Sequence, residues 1–173
     1  HPMPTPRKFI IDTDPGIDDS LAILLALASP EVQGEALTVV SGNCAVEEGV
    51  KNALSVLELA GAARVPVAQG LRLPLVQPLL VAPETHGETG IGYARLPPPK
   101  TQPTSQHAVQ LLIEKIMGAP GEITVVAIGP LTNLALAIRL EPRLVSAVRD
   151  VIIMGGAIRH GGNTTPLAEF NVY

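Results

Sequence analysis

The stretch Lys8-Phe9-Ile10-Ile11-Asp12-Thr13-Asp14-Pro15-Gly16-Ile17-Asp18-Asp19 decides how the rest of the chain is read. Lys8 to Asp12 reads as a short buried strand, and Pro15-Gly16 as the turn that ends it. Asp18 or Asp19 then caps a helix that runs to Ser29 and is stopped by Pro30. Strand, tight turn and helix together make the first half of a strand-helix-strand unit, the building block of a parallel sheet.

Downstream, the same alternation continues. Ala36 to Val40 reads as the second strand. Val46 to Ala60 carries apolar residues at helical spacing, with Gly61 placed as its C-terminal cap. Val65 to Ala68 is a third strand, Gln106 to Met117 a helix, Ile123 to Ile128 a strand, Leu131 to Leu140 a helix and Val151 to Met154 a fifth strand. Between Gly70 and Ser105 lies a long loop with seven prolines from Pro74 to Pro103, of a length that is usually functional or mobile. No internal repeat is present. The expectation is an α/β fold with an open, doubly wound, mostly parallel sheet, residues 1–173 forming part of one domain.

Composition supports an ordinary core and excludes several classes. The chain has 173 residues, 46% of them hydrophobic and 16% charged, and a mean hydropathy of +0.32. A chain of this size buries roughly 70% of its unfolded surface, which excludes intrinsic disorder. No apolar run reaches the ~18 residues that span a bilayer, so no membrane partner is expected. The net charge is −4 with the 12 basic residues scattered, and only four aromatics occur. Neither a basic stripe nor a stacking platform for nucleic acid is present. A lone Cys44 and the lack of a secretory signal point to a reducing, cytoplasmic setting. His1-Pro2 ahead of Met3 reads as an expression scar.

Four of the five aspartates, Asp12, Asp14, Asp18 and Asp19, fall within eight residues. They sit where the first strand ends and the next helix begins, the edge at which open α/β sheets bind ligands. Carboxylates this close repel and raise one another's pKa values unless a cation neutralises them. All-oxygen ligation suits Ca²⁺ or Mg²⁺ better than zinc. Asp14 would also lie close enough to such an ion to deprotonate a water. Taken singly, Asp18 could merely cap its helix, and Asp12 and Asp14 could satisfy turn amides; all four together point to a cation site.

The run Asp12-Thr13-Asp14-Pro15-Gly16-Ile17-Asp18-Asp19 resembles the N-terminal signature of the inosine-uridine-preferring nucleoside hydrolases. Further motifs follow in that family's order: Val40-Ser41-Gly42-Asn43, His86-Gly87-Glu88-Thr89-Gly90, Ile128-Gly129-Pro130-Leu131-Thr132-Asn133, Met154-Gly155-Gly156, Gly162-Asn163 and Ala168-Glu169-Phe170-Asn171. The resemblance implies hydrolysis of the N-glycosidic bond of ribonucleosides with a bound Ca²⁺. By motif position, Asp14 and Asp19 resemble the metal carboxylates, and Ile128 the residue that gives its backbone carbonyl. Asp14 also resembles the base for the attacking water, with Asn43 beside that water. Asp18, Asn163, Glu169 and Asn171 match positions that hold ribose hydroxyls, His86 one near the leaving base, and Asp12 a supporting carboxylate.

Weaker signals have plainer readings. His86 could be a solvated loop histidine, and Asn43 could simply end its strand. His107 reads as a surface residue opening a helix, His160 as a loop residue, and Cys44 as a small buried residue rather than a nucleophile. Family members are longer than 173 residues, and the resemblance implies that their second half supplies another ligating Asp and a leaving-group acid. The expectation is therefore a chain truncated at its C-terminus that hydrolyses nucleosides poorly or not at all when alone. The full-length protein would be a dimer or tetramer. Two rivals stand beside the enzyme reading. One is a non-catalytic Ca²⁺- and ribose-binding half-protein or complementing fragment. The other is a haloacid dehalogenase-type phosphatase with Asp12 and Asp14 as nucleophile and acid, although Pro15-Gly16 and Asp18-Asp19 depart from that pattern.

Overall fold

The computed structural model describes residues 5–173, and the expression-scar reading of His1-Pro2 lies outside the described residues. The elements run β1 (Arg7–Thr13), α1 (Ile17–Ala28), β2 (Val32–Val39), α2 (Val46–Leu59), β3 (Val67–Gln69), α3 (Pro83–His86), α4 (Ala108–Gly118), β4 (Ile123–Ala127), α5 (Thr132–Leu140), α6 (Leu144–Ala147) and β5 (Asp150–Ile153), and a 3₁₀ turn at Phe170–Val172 follows. The strands form one five-stranded sheet in the order β3-β2-β1-β4-β5, and every neighbouring pair is parallel.

Side chains alternate across a strand, so consecutive residues of a central strand enter different layers. Ile10 is buried with Leu112 and Ile116 of α4 and Leu134 of α5. Its neighbour Ile11 packs with Ile23 of α1 and Val50 and Leu57 of α2. Helices thus cover both faces, which is why β1 reads as an apolar run rather than as an alternating one. The doubly wound parallel sheet expected from the sequence is the observed fold. Chain order reverses between β1 and β4, so the crevice beyond their carboxyl ends is the topological switch point where such sheets bind ligands.

Local chemistry corrects one reading. Neither Asp18 nor Asp19 caps α1 from outside. Gly16 holds the N-cap position with an extended backbone (φ −89, ψ −165), and Asp19 reaches back from the first turn to accept the Gly16 N–H at 3.1 Å. The carboxylate satisfies one orphan amide of the helix start while the chain turns sharply enough to fold it toward β1. At the end of α2, Gly61 takes φ +67. The bonds Gly61 N–H to the Glu58 carbonyl (3.1 Å) and Ala62 N–H to the Leu57 carbonyl (2.8 Å) complete the cap that its position foretold.

Other boundaries moved modestly. β2 begins at Val32 rather than Ala36, and the single-turn helices α3 and α6 were not anticipated. The long proline-rich loop is tied down rather than free. Ala82 N–H reaches the Asn43 carbonyl at 3.2 Å. Asn52 Nδ2 donates to the Thr89 carbonyl at 2.7 Å, and Glu58 Oε1 accepts from Lys100 N, Thr101 N and Thr101 Oγ1. Among the described residues no helix is long and apolar enough to cross a membrane.

Candidate active site

Asp14 is the last buried carboxylate before the Pro15-Gly16 turn, 1% exposed just beyond the end of β1. Its Oδ2 accepts the Asn43 backbone N–H at 2.7 Å. Its Oδ1 is buried without a partner among the described residues. Two glycines make room for the carboxylate: a Cβ on Gly42 would overlap Oδ2, and one on Gly129 would meet Oδ1 at 2.7 Å. Burial first, and the Asp19 charge second, hold the Asp14 carboxyl well above the usual carboxylate range.

Asp19 faces the same space. Its Oδ1 accepts from Thr13 Oγ1 at 2.8 Å; its Oδ2 accepts from Gly16 N and, at 2.9 Å, from Asn43 Nδ2. Burial raises its pKa despite these bonds. Asn43 therefore bridges both carboxylates, backbone to Asp14 and side chain to Asp19, and its amide also donates to the Asp14 carbonyl at 3.2 Å. Strand termination, the plainer reading of Asn43, does not account for these contacts.

The four-aspartate cluster does not converge as a unit. Asp18 has a 77% exposed side chain at the cleft mouth, 3.8 Å from His86 Nδ1. Asp12 is fully buried one layer down. There its Oδ1 accepts from Thr38 Oγ1 at 2.6 Å and Asn133 Nδ2 at 2.9 Å, and burial pushes it up to about 6 against those two bonds. Alternating residues of a strand project to one side, but Asp12 lies within the ladder and Asp14 beyond it. Asp12, whose Oδ2 is likewise buried without a partner among the described residues, is held apart by Thr38 and Asn133, whereas Asn43 links Asp14 and Asp19. Among the described residues no group of three His, Cys, Asp or Glu side chains converges on one point.

Above this pair opens a cleft of about 540 Å³ that brings together Asp18, Asp19, Asn43, His86, Ile128, Asn163, Glu169 and Asn171. Residues up to 153 positions apart in sequence thus meet at the carboxyl edge of the sheet. Asp12 and Asp14 lie beneath its wall rather than in it. His86 is largely buried, and its Nδ1 accepts the Ile17 N–H of α1 at 3.3 Å. Asn171 Nδ2 donates to the Ile128 carbonyl at 2.8 Å and the Met154 carbonyl at 3.0 Å. Glu169 Oε2 accepts from Gly156 N and Asn171 N, and Asn163 Oδ1 from Phe170 N at 2.9 Å. Cys44 is buried, and burial pushes its thiol up to about 12. His107 is exposed and its Nδ1 accepts Val109 N–H at the start of α4; His160 is exposed in a loop.

Sequence reasoning assigned no role to Thr13, Thr38, Gly42, Gly129 or Asn133, which hold the carboxylates in place. For Thr13, Gly42, Gly129 and Asn133, presence inside the quoted motifs was the available signal; Thr38 lies in the second strand outside them.

Residues 9–173 match the family model described as inosine-uridine preferring nucleoside hydrolase. The Leishmania major protein named inosine-uridine preferring nucleoside hydrolase is 50% identical over 170 residues, covering 97% of this chain and 54% of the relative. Uridine nucleosidase 1 of Arabidopsis thaliana is 47% identical over 168 residues, covering 96% and 50%. Among solved structures, a plant nucleoside hydrolase superposes with a TM-score of 0.92 at 45% identity, covering 96% of this chain and 53% of the other. The purine-preferring ribonucleoside hydrolase from Gardnerella vaginalis gives 0.91 at 34%, covering 95% and 54%. The chain spans about half the length of the relatives it matches.

Proposed function

Since the chain belongs to the inosine-uridine preferring nucleoside hydrolase family, we propose that it carries the cation- and ribose-binding side of a Ca²⁺-dependent ribonucleoside hydrolase, which releases free base and ribose. The observation that carries this reading is the buried Asp14 Oδ1 without a partner, beside Asp19 and under the cleft. An ionised carboxylate oxygen in that state is strongly unfavourable unless a cation completes it; without one the group is driven toward its protonated form.

The donor set fits a hard divalent ion: carboxylates of Asp14 and Asp19 and the carbonyl of Ile128, all oxygen. When bound, Ca²⁺ supplies positive charge that lets both carboxylates stay ionised at neutral pH. Asp14 takes the proton of the attacking water, and Asn43, fixed to both carboxylates, orients that water. Asp18, Asn163, Glu169 and Asn171 hold the ribose hydroxyls, and His86 lies toward the leaving base. Carboxylates around the sugar favour the oxocarbenium character that develops as the glycosidic bond breaks. Hydroxyl-binding side chains would discriminate against 2′-deoxyribose by leaving a polar group unpaired. The setting is proposed to be cytoplasmic, with homo-oligomers of the full-length protein.

Asp12 as a phosphatase nucleophile is a poor fit, because it lies under the cleft wall with Oδ1 engaged by Thr38 and Asn133. The second reading is the non-catalytic Ca²⁺- and ribose-binding half-protein, in which the same cleft binds without hydrolysis. One assay separates the two. The chain is incubated with Ca²⁺ and inosine or uridine, and reducing sugar is measured. Ribose released by the chain and lost in Asp14→Asn supports the hydrolase; saturable nucleoside binding with no ribose released supports the binding module. Neither ribose nor binding would overturn both.

A further inference from the structure

Asn133, the second residue of α5, is fully buried. Its Nδ2 donates to Asp12 Oδ1 at 2.9 Å and to the Val39 carbonyl at 3.2 Å. Its Oδ1 accepts the Leu71 N–H at 3.0 Å. These three partners belong to the end of β1, the end of β2 and the chain just beyond β3. The strand ladder pairs as far as Thr13 with Val39 and Val39 with Gln69. The backbone bonds Val40 N–H to the Thr13 carbonyl (3.0 Å) and Gly70 N–H to the Val39 carbonyl (2.8 Å) carry it one residue further, and the Asn133 side chain is the link that touches all three chains at once. Asn133 reaches them from across the switch point, since α5 follows β4.

The link continues to the site. The Leu71 carbonyl accepts the Ser41 N–H at 3.1 Å, two residues before Asn43, whose N–H holds Asp14 Oδ2. Packing at the clasp is close: a Cβ on Gly70 would run into the Asn133 amide and the Val39 carbonyl. Few side chains could substitute. Asn offers two donors and an acceptor on a short stem, whereas Asp lacks the donors and Leu lacks all three.

We propose that Asn133 is a positioning residue, a buried clasp that sets the Ser41–Asn43 turn against the end of β1 and so keeps Asn43 in register with Asp14. It touches neither substrate nor cation. Its effect on cation affinity rests on the function proposed above; its effect on the turn does not.

Amide hydrogen exchange on the full 173-residue chain tests the clasp directly. In the unmodified chain Leu71 should be protected by its bond to Asn133. In Asn133→Ala, the Leu71 and Asn43 amides should each lose at least tenfold protection relative to the Ile11 and Leu37 amides of the sheet core. Ser55→Ala, which removes the bond to the Pro97 carbonyl away from the cleft, should leave Asn43 unchanged on the same scale. If Asn133→Ala fails to fold, Asn133→Ser is read in the same way. Loss of Leu71 protection with Asn43 unchanged would overturn the proposal, leaving Asn133 a loop anchor only. An unprotected Leu71 in the unmodified chain would overturn it as well. Calorimetric titration with Ca²⁺ alone should show at least tenfold weaker binding in Asn133→Ala and no change in Ser55→Ala. A chain that binds no Ca²⁺ yet loses Asn43 protection in Asn133→Ala would overturn the calcium reading and support the clasp.

Discussion

Asp14 Oδ2 accepts the backbone N–H of Asn43 at 2.7 Å, while Oδ1 of the same carboxylate is buried with no partner among the described residues. The arrangement is half satisfied by design of the fold. Asn43 fixes where the group points, and the second oxygen carries the proposed cation contact.

Without a cation, Asp14 should therefore be a burden on stability. Asp14→Asn keeps an acceptor for Asn43 and removes the buried charge. Urea unfolding at pH 7 in the presence of a chelator should show the variant more stable by about 1–3 kcal/mol. A lower unfolding midpoint would mean that the protein alone satisfies the carboxylate.

Asp12 makes a signed prediction for pH. Burial raises its folded-state pKa from 3.8 to about 6, so folding favours its protonated form. The stability it contributes is complete below the unfolded value and is lost as pH rises through the folded one. Asp14 and Asp19 are raised in the same direction, chiefly by burial. The chelated chain should lose roughly 2 kcal/mol from Asp12 alone between pH 4 and pH 7. Denaturant midpoints across that range check it; flat or rising stability would contradict it.

Gly42 is required for its lack of a side chain. Its Cβ would overlap Asp14 Oδ2 and meet Pro130 Cδ at 2.9 Å. Gly42→Ala should destabilise the chain by about 1–3 kcal/mol and weaken Ca²⁺ binding at least tenfold. Gly118→Ala, where a Cβ meets nothing within 4 Å, should be neutral or stabilising by about 0.4–1 kcal/mol. Calorimetry and urea unfolding on the pair separate a local collision from general intolerance.

Cys44 should be silent toward thiol reagents. With its pKa pushed up to about 12, first by burial and then by Asp14, only about 10⁻⁴ of it is thiolate at pH 8. Labelling by a disulfide reagent at that pH should follow urea unfolding; rapid labelling of the folded chain would contradict the packing.

The parts legible in sequence were those written locally. Strand, Pro-Gly turn and helix around Asp12 to Asp19 carry their signals within a few residues, and Gly61 announces the end of α2. Spacing alone brings the four aspartates together in sequence but cannot say which side chains a strand end and a helix turn send inward. Asp18 keeps a largely exposed side chain at the cleft, and Asp12 is engaged by Asn133, 121 residues away. Partners at that distance leave no local trace. α6 was missed because four residues are too few for helical periodicity to register.

Central to the account is a cation held by Asp14 and Asp19, and one titration addresses it. Calorimetry of the unmodified chain with Ca²⁺ should show a single saturable site, abolished in Asp14→Asn while Asp18→Asn leaves it in place. No binding to the unmodified chain, or equal binding to Asp14→Asn, would contradict the assignment of the buried pair as the metal site.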